Sequence, residues 1–270
     1  MFRLVRRRLE GRRADLRHYR RVLKGAWVDD PSNDNPRFDR VRWRNALPDL
    51  ETLGLDVPRL AETAQTMGRA AQALQARAAD VAAQALRPLP LSGEVLMDRT
   101  ILAQTEADTQ LRLLARVLQW VSQSEYRPRI APLEALLDRL LSGGGGTLHG
   151  CEARIHGDHI RVFREYAAVA EKTAQPGALW DGRFETRGKG GQFAALGHVG
   201  WTQIPTDQRS IPYHAARSLP AVFDGATLLA CPALGHGQGF DATFTGRLPL
   251  FAQAFFDKSG SMRRRIGESD

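Results

Sequence analysis

The chain has 270 residues, enough for one large or two ordinary domains, and 43% of them are apolar, which is sufficient for a hydrophobic core. The sequence has no run of 18 apolar residues, and its arginine-rich start lacks the apolar stretch of a secretory signal, so it argues against a membrane span and against export. Two distant cysteines, Cys151 and Cys231, make no disulfide framework, which favours the cytoplasm.

The net charge of +8 is concentrated near the start of the chain. Residues 1–44 contain fourteen Lys and Arg and six Asp and Glu, so the remainder, with 24 of each sign, carries no net charge. A positive charge gathered in one segment is the electrostatic pattern expected of a contact with a polyanion. The alternative is a solvated arginine-rich helix that binds nothing, and composition alone does not separate the two.

The first predicted elements are two helices joined by a loop. Residues 12–24 are predicted to be helical, because Leu16, Tyr19 and Leu23 follow a helical spacing and Gly25 lies where a C-terminal cap belongs. Prolines place a loop at 29–36, and a second helix is predicted to begin near Arg37 and to turn Phe38, Val41 and Leu47 toward the core.

The segment 56–142 is predicted to form a small helical domain. Asp56 is an N-cap candidate, and the alanine-rich stretch after it predicts a long helix to about Leu86. A short extended piece is predicted at 93–98, followed by helices over 106–122 and from Pro132 to Leu141.

Beyond a glycine run at 143–146 the hydrophobic period changes from helical to alternating. The run is either a domain boundary or a helix cap with a tight turn. Residues 151–155 and 159–162 alternate around Gly157-Asp158, until Phe163 and Arg164 shift the phase, and predict a β-hairpin. Further strands are predicted near 179–186, 192–196 and 226–231, a short helix over 213–218, and a frayed basic tail. The fold class is therefore predicted to be α+β.

The candidate sites begin with the loop Asp29, Asp30, Ser32 and Asn33. Two carboxylates and an amide can hold a magnesium ion or a substrate amine, but the same residue types commonly make turns and cap helices, and residue statistics favour the turn or cap.

Arg40 and Arg44 form a second candidate site, because two guanidinium groups four residues apart on a helix can clamp a phosphate or a carboxylate. The equal alternative pairs them with Asp29, Asp30 or Asp39.

Three other patterns favour structural interpretations. His149 and Cys151 have no second ligand pair at zinc spacing, so no metal site is predicted. The glycines around Arg187 and Lys189 lack the P-loop string and indicate a turn between strands, although their amides could bind phosphate. The segment GHGQG at 235–239 is predicted to be a loop with His236 exposed.

Residues 2–48 resemble the closing segment of the catalytic domain in the tRNA(Ile)-lysidine synthase family. That family shows an arginine-containing helix, a Trp-x-x-Asp-x-Ser-Asn loop, and an Arg-x-x-x-Arg helix that ends near a proline. The matching parts of this chain are Arg12 to Leu23, Trp27 with Asp30, Ser32 and Asn33, and Arg40 and Arg44 with Pro48. Residues 56–142 are similar to the family's middle domain, and 147–256 are similar to its C-terminal domain, notably at 147–151 and 219–221.

This resemblance implies three parts: a remnant of an α/β catalytic domain over 1–55, an all-helical domain over 56–142, and a β-rich mixed domain over 143–270. It also implies an ATP-dependent C–N ligase, which adenylates the wobble cytidine of tRNA(Ile) with a CAU anticodon and then joins free lysine to it. Asp30, Asn33, Arg40 and Arg44 are the implied catalytic candidates. Arginines of the first helix are the tRNA-binding candidates: Arg12, Arg13, Arg17, Arg20 and Arg21.

One departure limits what the resemblance implies. The family's Ser-Gly-Gly-x-Asp-Ser loop, which binds ATP, does not occur in the sequence. ATP with Mg²⁺ is therefore expected for the full-length family and not for this chain alone, which we expect to be the inactive, tRNA-holding half. Two alternatives stay open, a stand-alone RNA-binding protein without catalysis and a protein-interaction module whose basic start binds an acidic partner. The sequence also leaves open whether the chain forms a homodimer.

Overall fold

The computed structural model describes residues 13–24 and 35–246, without the side chains of residues 13–15 and 40. The chain divides into two compact units, residues 1–67 and residues 68–270. Helices and antiparallel sheets both occur, which confirms the predicted α+β class. The division into three domains stays a prediction. The boundary between the two compact units lies between Met67 and Gly68 in the sequence.

The first unit is helical in its described part. Helix α1 covers Arg13–Val22, helix α2 covers Asp39–Thr52, and the long helix α3, Val57–Ala85, begins here. All three were predicted, but α2 passes through Pro48 and does not end there. Asp56 is the predicted N-cap, since its Oδ1 accepts a hydrogen bond of 2.8 Å from the amide of Arg59. Only Val41 of the predicted α2 residues is fully buried, because Phe38 remains 46% exposed and Leu47 is half-buried.

Helix α3 is long because it is rich in alanine, the best helix former, and because no proline follows Pro58 within the helix. Its C-terminal part belongs to the second unit and joins the core of that unit through small side chains, Val81, Ala82 and Ala85. The helix stops at Ala85 because Pro88 follows.

The segment predicted as a helical domain continues with two strands, β1 (Leu86–Leu89) and β2 (Glu94–Asp98). Strand β2 corresponds to the short extended piece that was predicted at 93–98, whereas β1 was not predicted. Pro88 is tolerated because β1 lies at the edge of its sheet.

The second unit is built on a five-stranded antiparallel sheet in the order β1-β2-β5-β4-β3. Strand β3 covers Gly146–Leu148, and the predicted hairpin is confirmed as β4 (Cys151–His156) and β5 (His159–Arg164). Helices α4 (Arg99–Ala103), α5 (Ala107–Ser122) and α6 (Ile130–Leu141) precede β3. The apolar faces of α5, α6 and the sheet form the largest core, which includes Met97, Leu113, Leu118, Leu136 and Val162.

Two small antiparallel sheets complete this unit. One has the order β11-β7-β6 and the other β10-β9-β8. The strands are β6 (Leu179–Trp180), β7 (Phe184–Arg187), β8 (Gln192–Ala195), β9 (Pro220–Asp224), β10 (Thr227–Ala230) and β11 (Asp241–Phe244), with helices α7 (Gly197–Gln203) and α8 (Tyr213–Ala216) between β8 and β9. Strands β9 and β11 were not predicted. Phe244 on β11 joins the cores, since its ring lies 4.6 Å from Trp120 and 5.4 Å from Phe184.

Both glycine runs are tight turns. The run at 143–146 caps α6, because the amide of Gly144 donates to the Arg139 carbonyl at 2.8 Å, and then enters β3. A Cβ on Gly145 would lie 2.7 Å from the Ala153 carbonyl oxygen. The turn between β7 and β8 is equally crowded, since a Cβ on Gly188 would lie 2.2 Å from the Phe240 ring. The sequence needs glycine at these positions because another chain segment approaches closely.

Candidate RNA-binding surface

The basic residues of α1 occupy neighbouring positions along the helix. Arg17 lies three residues before Arg20 and four before Arg21, so the three side chains leave adjoining positions on its surface. Arg20 and Arg21 are exposed, and Arg17 is half-buried. Three guanidinium groups, two of them one helical turn from the third, can neutralise phosphates of a nucleic-acid backbone. Of the other predicted tRNA-binding residues, Arg13 begins the helix, and Arg12 lies outside the described residues.

Both catalytic candidates of the second helix lie on α2. Arg40 and Arg44 are separated by four residues, so their positions share one face of the helix, as predicted. Arg44 is exposed. Asp39, one of the partners considered for these arginines, forms a salt bridge with Arg42. The other two candidates, Asp30 and Asn33, lie outside the described residues together with the rest of their loop.

Asp181 and Arg183 are the buried centre of a network of charged side chains in the second unit. Its carboxylate is fully buried and receives Arg183 at 2.6 Å, Lys172 at 2.6 Å and Arg164 at 3.0 Å. Burial alone would raise the pKa of Asp181, but these three cations outweigh it and lower that pKa. Arg183 also donates to the Val121 carbonyl at the end of α5 at 3.0 Å. The network links the end of α5 to the turn before β7, so we interpret it as structural.

The remaining sequence candidates are structural. His149 has a positive φ of 60°, and burial lowers its pKa. Cys151 and Cys231 are both buried and unpaired, and burial raises the pKa of each thiol to about 12, so neither is a ready nucleophile. The prediction that His236 is exposed was wrong, since it is half-buried and its Nδ1 lies 2.9 Å from Gln208 Oε1. No group of three metal-binding side chains occurs among the described residues.

A feature that the sequence analysis did not single out lies between α5 and α6. Tyr126 is 82% exposed, and the neighbouring Arg127 and Arg129 are exposed as well. The signal was present in the string Ser-Glu-Tyr-Arg-Pro-Arg, which alternates an aromatic residue with arginines in a loop. Aromatic rings and arginines interleaved in this way are common where proteins bind single-stranded nucleic acid.

Curated relatives of the chain carry one name. The chain is 37% identical over 243 residues to a tRNA(Ile)-lysidine synthase of Ruegeria pomeroyi, which covers 88% of the chain and 58% of that relative. It is 40% identical over 148 residues to the enzyme of the same name from Methylobacterium nodulans, covering 52% and 43%. The Wolbachia pipientis wMel relative is 28% identical over 180 residues, covering 64% and 41%. The chain belongs to the tRNA(Ile)-lysidine synthase family.

Within the tRNA(Ile)-lysidine synthase family, the chain spans about half the length of the relatives it matches, between 41% and 58% in these three. No protein-family model matches the chain. No helix in the described ranges is long and apolar enough to cross a membrane. Membership rests on whole-segment similarity and not on the catalytic candidates, two of which lie outside the described residues.

Proposed function

We propose that this chain supplies the tRNA-binding part of a tRNA(Ile)-lysidine synthase, with tRNA(Ile) bearing a CAU anticodon as its partner. The observation that carries the proposal is the basic helix α1, where Arg17, Arg20 and Arg21 occupy adjoining positions within a segment that holds the whole net charge of the chain. The names of the relatives indicate tRNA(Ile) as the partner, and the arginines of α1 are suited to bind its phosphates. Cytoplasmic residence is part of the same proposal, because both cysteines are free thiols.

The chain alone is proposed not to make lysidine. Its sequence has no Ser-Gly-Gly-x-Asp-Ser loop, and the two glycine runs that it does have are packed turns. Gly145 is crowded by Ala153 and Gly188 by Phe240, which supports the interpretation of both segments as turns between packed elements. ATP with Mg²⁺ is therefore assigned by this proposal to the full-length enzyme and not to this chain alone. In the complete enzyme we assign Arg40 and Arg44 to phosphate or to the lysine carboxylate, and Asp30 and Asn33 to orientation of the lysine.

The salt dependence of tRNA binding tests the proposal. We expect the wild-type chain to bind a CAU tRNA(Ile) transcript, and simultaneous Ala substitution of Arg17, Arg20 and Arg21 to reduce the slope of log K against log salt by about 2 to 3. A matched control replaces Arg139, Arg187 and Lys189, which are exposed, and so removes the same net charge elsewhere. Supplied with ATP, Mg²⁺ and labelled lysine, the wild type should incorporate none.

Two outcomes would contradict the proposal. Equal losses in both triple variants would mean that net charge, and not α1, governs binding. Lysine incorporation by the purified chain would show that it is catalytically complete. A stand-alone RNA-binding protein is the second candidate, favoured by the same helix, and it predicts binding without preference for tRNA(Ile) over other tRNAs.

A further inference from the structure

The loop between α5 and α6 holds its exposed aromatic ring in a fixed position. It begins at Gln123, which ends α5 in a left-handed conformation with φ 56°. The side-chain amide of Gln123 donates to the Trp120 carbonyl at 2.6 Å, and that of Gln119 donates to the Glu125 carbonyl at 3.2 Å. The Ser124 hydroxyl donates to the Tyr126 carbonyl at 3.4 Å. These hydrogen bonds tie the backbone of the loop to the end of α5.

The ring that this loop carries is displayed and not packed. Tyr126 is 82% exposed, more than any other large apolar or aromatic side chain in the described part of the chain. The fixed points of the loop are backbone groups, so the phenol ring itself contributes nothing to holding it. An exposed aromatic ring leaves apolar surface in contact with water in the free protein. A ligand that stacks on the ring would remove this surface from water.

The surroundings of the ring are positive. Arg127 and Arg129 are exposed on either side of Pro128, and Glu125 is the single acid between Ser124 and Ile130. Helix α6 begins directly after Arg129 with no side-chain cap and no acid in its first turn, so the positive end of its dipole faces the same loop. A ring flanked by cations suits a ligand that has both a flat aromatic face and a negative charge, which is a nucleotide.

We propose that Tyr126 stacks on an unpaired nucleobase of the bound RNA, while Arg127 and Arg129 contact the phosphates on either side of that nucleotide. The proposal rests on RNA being the partner of this chain, and it adds a contact to bases where α1 offers only contacts to phosphates. An unpaired base is required because the faces of paired bases inside a helix are covered by their neighbours. The site would therefore distinguish looped or single-stranded RNA from duplex.

Two probes separate stacking from charge. Fluorescence anisotropy would measure binding to a mixed-sequence single-stranded RNA octamer and to a blunt 12-base-pair RNA duplex. We expect Tyr126→Ala to weaken octamer binding about tenfold and to leave duplex binding unchanged, because one stacked base is lost. Tyr126→Phe keeps the ring and should stay within about twofold of the wild type. Leu91→Ala, at a position 72% exposed, is the matched control for loss of an exposed side chain.

The salt dependence of RNA binding distinguishes the role of Tyr126 from the roles of Arg127 and Arg129. Tyr126→Ala should leave the slope of log K against log salt unchanged, because a phenol ring displaces no counterion, whereas Arg127→Ala and Arg129→Ala should each lower it by about 1. Octamer binding by Tyr126→Ala equal to that of the wild type would overturn the inference. So would a loss of self-association in Tyr126→Ala, seen by sedimentation velocity, together with unchanged RNA binding, which would assign the ring to a protein contact.

The same measurements separate this inference from the proposed function. If the wild type binds the tRNA transcript and Tyr126→Ala binds both probes normally, the stacking site is wrong and the tRNA proposal stands. If the wild type binds the octamer through Tyr126 but shows no affinity for tRNA, the stacking site stands and the tRNA proposal is wrong. Failure of the wild type to bind any of the three RNAs overturns both.

Discussion

The two units of the chain use their side chains in opposite ways. In residues 68–246, apolar side chains close into three cores, and even the arginine at position 183 is only 1% exposed. In the described residues before 68, Val41 is the one fully buried apolar side chain, while Val22, Trp43 and Leu53 remain between 64% and 75% exposed. The positive charge lies in residues 1–44 as well. Substitutions of buried residues in the second unit should therefore act on folding, and substitutions of the exposed arginines in the first unit should act on binding.

Removing Arg183 should produce the largest loss of stability. Arg183→Ala deletes the most buried of the three cations around Asp181 and removes the guanidinium that donates to the Val121 carbonyl. We expect the free energy of unfolding to fall by about 3 kcal/mol, because a buried carboxylate loses part of its compensation. Urea unfolding would measure it, with the exposed Arg187→Ala as control. A loss no larger than that of the control, or a changed salt slope for tRNA, would break the division between the units.

The carboxyl of Glu94 should make stability depend on pH. Burial raises the pKa of Glu94 to about 6, although Arg161, 3.2 Å away, opposes it. The folded protein therefore binds more protons than the unfolded chain between about pH 4.5 and 6, and its stability falls as pH rises through that window. Glu94→Gln abolishes this titration, so its stability relative to wild type should increase by about 2 kcal/mol between pH 4 and pH 7.

Unfolding experiments on both proteins at several pH values would check this prediction, and Glu171→Gln, at an exposed position, is the control. A difference between wild type and Glu94→Gln that does not vary with pH would show that the raised pKa has no thermodynamic consequence. A wild type more stable than Glu94→Gln by a constant amount would instead indicate that the ion pair with Arg161 dominates.

The fold was predictable wherever hydrophobic period and turn chemistry agreed. The hairpin around Gly157-Asp158 was predicted, and helix α5 was predicted within about one residue, because alternation and helical spacing are local signals. Strand β1 was missed since Pro88 argues against a strand unless the strand lies at a sheet edge, and edge position is decided by distant residues. Strand β11 was missed for the same kind of reason, as it pairs with β7, more than fifty residues earlier.

The sequence predicted the basic residues of the candidate RNA-binding surface, but it did not predict the exposed Tyr126. The arginines of α1 are visible in any count of charged residues, and their helix was predicted correctly. Tyr126 was not singled out, because a tyrosine in a short loop is ordinary in a sequence. The hydrogen bonds from Gln119 and Ser124 that hold the loop are visible only in the structure. His236 is half-buried and lies close to Gln208, and no local sequence pattern predicts this contact because the two residues are 28 positions apart.

The smallest expected effect tests α3, the element that both units share. Gly68 is the first residue of the second unit, lies inside α3, and has nothing within 4 Å of the position that a Cβ would take. Gly68→Ala should raise the free energy of unfolding by about 0.5 to 1 kcal/mol, because alanine loses less backbone entropy in a helix. Gly177→Ala is the matched control, since it too has open space but a φ of +91° that strains any side chain, so it should destabilise the protein. Hydrogen exchange along α3 should slow on both sides of residue 68 in Gly68→Ala. Slowing on one side alone would mean that the two units open independently at this glycine.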